Sequence, residues 1–159
     1  MCVTMAEIEA AFPATICKGP LSCKTTDTFC MEGFRETEEY LKGKTWKDLV
    51  RAGYNPDLAE TLHFISSEAF SVYAPAYFYW FLEDFEGGDC MSFSMVFLMA
   101  RRPKQYLSEL HHPQLVILRR ILGWLDGVHG DEFLGSDRYD LKTTISEVEN
   151  SIRESSNDR

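Results

Sequence analysis

The sequence has no excess of basic residues, and this shortage limits the partners that can be expected. Lysine and arginine together number 16, against 25 aspartates and glutamates, so the formal net charge is −9. Such a chain repels a phosphate backbone, and we predict that it does not bind nucleic acid. The same charge is typical of a protein that is steered towards a basic protein partner.

The chain also lacks long apolar runs. Its most aromatic region is uncharged only over residues 69–82, less than the ~20 residues that a membrane span requires. The first residues, 1-MCVTMAEIEAAFPATIC-17, have neither the basic nor the apolar region of a signal peptide. We therefore predict a cytoplasmic protein with no membrane association.

Cysteines are few and odd in number, which does not fit a secreted disulfide framework. There are five, and Cys17, Cys23 and Cys30 are spaced more widely than the paired ligands of common zinc knuckles. Free thiols in a reducing cytoplasm are the favoured interpretation over a structural zinc site.

No familiar catalytic motif occurs: there is no G-x-S-x-G, P-loop or dinucleotide fingerprint. No cofactor is predicted. The segment 126-DGVHGDE-132 offers Asp126, His129 and Asp131 as weak candidates for metal ligands in a Gly-rich loop. The pair His111-His112 precedes Pro113, so a cap for the next helix is favoured over a general base.

What the sequence does contain is a series of helix signals. A capping-box spacing occurs at Thr4–Glu7, Thr45 and Asp48 open a helix over 45–50, and Lys42-Gly43 is typical of a helix end after 36–41. Further helices are predicted from Asn55-Pro56 to about His63, over 104–110, from His112 to a stop at Gly127, and from a cap at Asp140. We also favour a helix over a strand for 91–100. These segments predict one all-α domain of six to eight short helices over residues 1–154, with a loop at 17–31 and a frayed tail at 155–159.

The helix around which this domain is expected to form is 66-SSEAFSVYAPAYFYWFLEDFE-86. Ser66 is the expected N-cap, and Ile65 with Phe70 has the spacing of a hydrophobic staple. Pro75 is expected to kink the helix or make it restart. A buried stripe is predicted along one face, comprising Phe70, Tyr73, Ala74, Tyr77, Phe78, Phe81, Leu82 and Phe85.

The segment from Ser66 to Tyr77 resembles the central motif of a family of small, functionally uncharacterised bacterial proteins, S/T-x-E-A-F-x-x-Y-x-P-A-Y/F. The resemblance extends to 43-GKTWKDL-49, 62-LHFIS-66 and 113-PQLVILRRILGWL-125, and so covers roughly residues 40–125. Ala74 departs from it, because a larger apolar residue is expected there. The resemblance implies a mostly helical, cytoplasmic domain of bacterial or phage origin, and it assigns no catalytic residue.

Together these features predict a non-catalytic, acidic binding protein, such as an immunity protein that neutralises a bacterial toxin. Acidic residues at the exit of the aromatic helix and in the later loop are the predicted partner-binding residues: Glu83, Asp84, Glu86, Asp89, Asp131 and Glu132. Two alternatives stay open. One is a small metal-dependent enzyme that uses Asp126, His129 and Asp131, and the other is a phage-encoded factor that binds a host or defence protein.

Overall fold

The structure is a computed structural model, and it describes residues 3–23, 31–53, 56–83, 95–96, 98–131, 133 and 135–157. Side chains are described for all of these except residues 56, 57, 59, 81 and 157. Within this part of the chain the regular structure is entirely helical, apart from an isolated bridge between Ser22 and Ile65, so the all-α prediction is confirmed.

Eight helices are defined within the described residues. They are α1 (Met5–Ala11), α2 (Met31–Leu41), α3 (Trp46–Arg51), α4 (Pro56–Thr61), α5 (Ser67–Glu83), α6 (Pro103–Leu107), α7 (His112–His129) and α8 (Ser136–Asn157). Residues 95, 96 and 98–101 are also helical, as predicted for this stretch, while 91–94 and 97 lie outside the described residues.

The chain divides into two compact units. The terminal unit comprises Met1–Phe12 and Met95–Arg159, and the middle unit comprises Pro13–Ser94. Helix α1 packs on α7 in the terminal unit, and α7 and α6 both pack on α8. In the middle unit α2 packs on α4, and α3 packs on α5. The prediction of one domain over residues 1–154 stays a prediction.

Local capping chemistry explains where several helices begin. In α1 the Glu7 carboxylate accepts the Thr4 N–H at 2.8 Å while Thr4 Oγ1 accepts the Glu7 N–H at 3.3 Å. The same reciprocal box joins Thr45 and Asp48 at the start of α3. Each box satisfies backbone donors that a helix start leaves unpaired. The capping box predicted at Thr4 is therefore confirmed, and the helix predicted to open at Thr45 and Asp48 does so through a second box.

Helix α5 begins as its sequence predicts. Ser66 Oγ accepts the Ala69 N–H at 3.0 Å and donates to the Pro20 carbonyl, which fixes the preceding loop to the helix start. Both staple residues, Ile65 and Phe70, are fully buried. The helix continues through Pro75 rather than restarting there, and it is described as far as Glu83.

Burial along α5 is broader than a single stripe. The predicted core residues Phe70, Tyr73, Ala74, Tyr77 and Phe78 are all buried, and Ala76 is buried as well. The Phe81 side chain and Phe85 lie outside the described residues. Because the buried positions surround most of the helix near its middle, α5 is a core element of the middle unit rather than an amphipathic surface helix.

The predicted boundaries of helices α2 and α7 are wrong. Helix α2 begins at Met31, not Glu36, and includes Gly33 in its first turn. Helix α7 continues past Gly127 to His129, where the Arg138 guanidinium donates to the Gly130 carbonyl and satisfies the helix end.

The last helix differs at both of its predicted ends. It begins at Ser136, four residues before the predicted cap Asp140, directly after Gly135, whose φ is +54°. It also remains helical to Asn157, so the predicted tail from 155 is helical through its first three residues. Ser155 Oγ lies 2.9 Å from His112 Nδ1, which attaches this end of α8 to the start of α7.

An ion pair between α1 and α7 makes the terminal unit sensitive to acid. Arg120 Nη1 lies 2.6 Å from Glu7 Oε1, and this bond, followed by the bonds from Thr4, lowers the pKa of Glu7 from 4.5 to about 2. Since the folded pKa lies below the unfolded one, the stabilisation is present above pH 4.5 and is lost as the pH falls towards 2.

We expect Glu7→Gln to remove this part of the acid sensitivity. In urea unfolding between pH 2 and 6, the difference in stability between wild type and variant should shrink as the pH falls through the window set by the Glu7 pKa. Arg120→Gln should narrow the pH range over which Glu7 loses its stabilising effect without abolishing it, because the Thr4 bonds to Glu7 remain. A difference that is constant across this range would contradict the assignment.

Candidate functional site

The middle unit contains a cavity of about 430 Å³ between α2 and α4. Its size falls in the range of small-ligand sites, roughly 300–1,000 Å³. We call it the acidic cleft, and its lining residues are Gly33, Glu36, Thr37, Glu39, Tyr40, Glu60, Thr61 and Phe64.

Helix α2 provides most of the lining from one face. Gly33, Glu36, Thr37 and Tyr40 stand at positions i, i+3, i+4 and i+7, the spacing that usually forms an apolar stripe against a neighbouring helix. Here the face carries two hydroxyl-bearing side chains and a carboxylate. This departure from an ordinary packing face opens a polar cleft beside α4.

Gly33 allows the Phe64 ring to form one wall of the acidic cleft. A Cβ atom at Gly33 would lie 2.5 Å from Cε2 and Cζ of Phe64, closer than a carbon contact permits. The Phe64 ring also meets the Phe34 ring edge to face, with centroids 5.0 Å apart. The ring is thereby held between two residues of α2, and its position depends on the missing side chain.

Among its described residues the lining is electrostatically one-sided, with three glutamates and no lysine, arginine or histidine. Glu39 lies 3.9 Å from Arg35, an exposed pair of small energetic value. Glu36 and Glu60 form no ion pair with any residue of the described ranges. The uncompensated negative charge in a concave site therefore favours a cationic ligand.

Two buried hydroxyls border the acidic cleft. Thr61 is buried, and its Oγ1 donates to the Leu58 carbonyl at 2.7 Å and lies 2.6 Å from Tyr77 Oη. Thr37 is 2% exposed, and its hydroxyl forms no hydrogen bond within the described part of the chain. Buried hydroxyls in proteins normally have a partner. Thr37 thus differs from Thr61 in having hydrogen-bonding capacity left for a ligand.

A cation already contacts one aromatic residue of the lining. Lys44 Nζ lies 4.4 Å from the centroid of the Tyr40 ring and donates to the Tyr40 carbonyl at 2.5 Å. The ring is therefore placed to interact with positive charge in the way that aromatic faces do.

Neither of the two predicted partner-binding residues that the structure describes, Glu83 and Asp131, belongs to the described lining of the acidic cleft. Glu83 is exposed at the last residue of α5, in the middle unit. Asp131 is exposed in the terminal unit, 3.5 Å from Arg138 Nη1. The other four, Asp84, Glu86, Asp89 and Glu132, lie outside the described residues. Their role in binding stays a prediction.

The weak candidates for metal ligands do not share the Gly-rich loop that the sequence predicts for them. Asp126 and His129 lie on helix α7, and only Asp131 follows it in a turn. Asp126 is held by two cations, with Arg138 Nη2 at 3.5 Å and Lys142 Nζ at 2.5 Å, while the His129 ring packs edge to face against Trp124. The described residues contain no group of three or more metal-ligating side chains.

Two cysteines of the described residues, Cys17 and Cys23, form no disulfide bond within this part of the chain. Cys23 Sγ donates to the Ile65 carbonyl at 3.0 Å. Burial raises the pKa of the Cys17 thiol, which disfavours the reactive thiolate. Cys30 lies outside the described residues.

No family model, curated protein sequence or solved structure matches the chain. The resemblance to the bacterial family with the S/T-x-E-A-F motif therefore stays a prediction. No helix of the described residues is both long and apolar enough to cross a membrane.

Proposed function

We propose that this chain is a non-catalytic binding protein whose acidic cleft receives a basic group of a protein partner. The observation that carries the proposal is the cavity itself, whose described lining residues include three glutamates and two aromatic rings but no basic side chain. Carboxylates accept hydrogen bonds from cationic groups, and aromatic rings add cation–π attraction. The formal charge of −9 supports the same proposal, because it attracts basic proteins over distance.

An inhibitor of a basic toxin or enzyme fits this chemistry, and an immunity protein of bacteria is the form that we favour. Within the described residues Cys17 and Cys23 form no disulfide bond, which fits a reducing, cytoplasmic setting for it. A phage-encoded factor that binds a host or defence protein would use the same chemistry. The two differ in the origin of the partner, which is encoded beside this gene in the first case and by the host in the second.

The proposal is tested by measuring affinity for the basic product of an adjacent gene with purified, full-length protein. Glu36→Gln and Glu60→Gln should each weaken binding about 10–100-fold, since a charge-assisted hydrogen bond contributes roughly 1.5–3 kcal/mol. Glu32→Gln is the matched control, because Glu32 lies on α2 outside the cleft lining and pairs with Arg35. Its affinity should match that of the wild type.

Glu83→Gln separates the acidic cleft from the site predicted at the exit of α5. Loss of affinity in this variant alone, with Glu36→Gln and Glu60→Gln unchanged, would contradict the cleft as the binding site. A failure of every adjacent gene product to bind, together with binding of a host protein that is lost in Glu36→Gln, would replace the immunity role with the host-directed one.

A further inference from the structure

The chemistry of the acidic cleft narrows the basic group to one kind. We infer that the cleft recognises the guanidinium group of an arginine side chain presented by the partner protein. This inference rests on the proposed function, and it adds a selectivity that the proposed function does not require.

The acidic cleft combines aromatic rings with carboxylates, as an arginine side chain requires. Tyr40 and Phe64 come from α2 and from the segment after α4, and Glu36 and Glu60 come from the same two sides. A guanidinium is planar, stacks on aromatic faces and donates five hydrogen bonds in a fixed fork. A lysine ammonium is a compact, strongly hydrated charge that gains less from ring faces. A lining that mixes both kinds of contact therefore favours arginine.

Thr37 offers a further acceptor in the lining. The residue is 2% exposed, and its hydroxyl has no hydrogen-bond partner within the described ranges. A group with several donors, such as a guanidinium, can bond this oxygen while it also bonds the glutamates.

The chain already places one cation of its own, Lys44, beside the acidic cleft. The Lys44 ammonium lies over the Tyr40 ring and donates to a backbone carbonyl of α2. A lysine of the chain itself thus occupies an ammonium site beside the cleft, and it leaves Glu36 and Glu60 without an ion pair in the described part of the molecule. The uncompensated charge lies on the carboxylates, where a forked donor can bridge two acceptors.

The experiment titrates the full-length protein with three capped peptides that differ only at one central residue, arginine, lysine or citrulline. Citrulline has nearly the shape of arginine without its charge. Binding is followed by the NMR signals of the Tyr40 and Phe64 rings. The arginine peptide should shift these signals, the lysine peptide should bind about tenfold more weakly, and the citrulline peptide should leave the signals unchanged.

Three variants test which atoms provide the selectivity. Tyr40→Leu should weaken arginine binding about 2–30-fold, the equivalent of a cation–π contribution of roughly 0.5–2 kcal/mol. Thr37→Val keeps the side-chain shape and removes the hydroxyl, so it should weaken arginine binding more than lysine binding. Glu32→Gln should change neither, and circular dichroism checks that all three variants remain folded.

Equal binding of the arginine and lysine peptides would overturn the guanidinium assignment and leave the proposed function intact. So would the absence of ring shifts with all three peptides while Glu36→Gln still weakens the protein partner. Free agmatine binding more tightly than the arginine peptide would overturn the protein source of the group. In that case the cleft is a small-molecule site.

Discussion

Tyr73→Ala should lower the free energy of unfolding by about 3–5 kcal/mol, the range for deleting a large aromatic side chain from a core. Tyr73 is fully buried on α5. Its hydroxyl lies 3.2 Å from the Leu41 carbonyl and 3.0 Å from the Lys44 carbonyl, at the end of α2 and in the turn that leads to α3. The alanine variant loses both the packed ring and the donor that secures this turn.

Tyr73→Phe divides that loss into its two parts. It keeps the ring and removes only the hydroxyl, so the expected cost is about 1–3 kcal/mol for leaving buried carbonyls without this donor. Ile16→Ala is the control in the same unit, because Ile16 is exposed and such substitutions usually change stability by no more than about 0.5 kcal/mol. Urea unfolding followed by tryptophan fluorescence measures all three. A phenylalanine variant as unstable as the alanine variant would contradict the dominant role of ring packing.

Features that depend on neighbours in the chain were predictable from sequence. The boxes at Thr4 and Thr45, the Ser66 cap and the buried positions on α5 each follow from residues within about one or two helical turns. Gly43 likewise adopts a φ of +71° after α2 ends at Leu41, as the Lys42-Gly43 pair predicts. Local hydrogen bonding decides these features, so one segment contains the information.

Helix boundaries were predicted wrongly where a distant residue decides. Gly127 was expected to end α7, and Gly33 lies in the part of α2 that was not predicted, yet both glycines lie inside helices. At Gly33 the deciding partner is the Phe64 ring, which occupies the space of a side chain. Beyond Gly127 it is Arg138, from the next helix, that satisfies the carbonyl of Gly130. Neither contact can be derived from the spacing of residues around the glycine.

The acidic cleft was missed for the same reason. Glu36 and Glu60 are separated by two helix boundaries, and only the packing of α2 on α4 brings them to one cavity. One local signal was present: the face Gly33, Glu36, Thr37, Tyr40 has the period of a packing stripe but not its apolar composition. A polar helix face at that spacing indicates a surface that does not pack in the core and is available for binding.

Thr61→Val should destabilise the protein by about 1–3 kcal/mol, although valine has nearly the same shape. Thr61 Oγ1 donates its proton to the Leu58 carbonyl, so it must accept from the Tyr77 hydroxyl, which lies 2.6 Å away. This chain of two hydrogen bonds is buried and joins α4 to α5. Valine removes both buried hydrogen bonds of Thr61, to the Leu58 carbonyl and to the Tyr77 hydroxyl, and their loss accounts for the expected cost.

The double variant Thr61→Val, Tyr77→Phe should recover part of that stability, because both polar groups are then removed together. We expect the sum of the stability losses of the two single variants to exceed the loss in the double variant by about 1–2 kcal/mol, as for side chains in one buried network. Strict additivity in urea unfolding would contradict the hydrogen-bond chain. Thr61 also lines the acidic cleft. The double variant keeps the shape of this wall, so its affinity for an arginine peptide should match that of the wild type. Thr61→Val alone, which removes one partner of the α4–α5 hydrogen bond, should weaken both stability and binding.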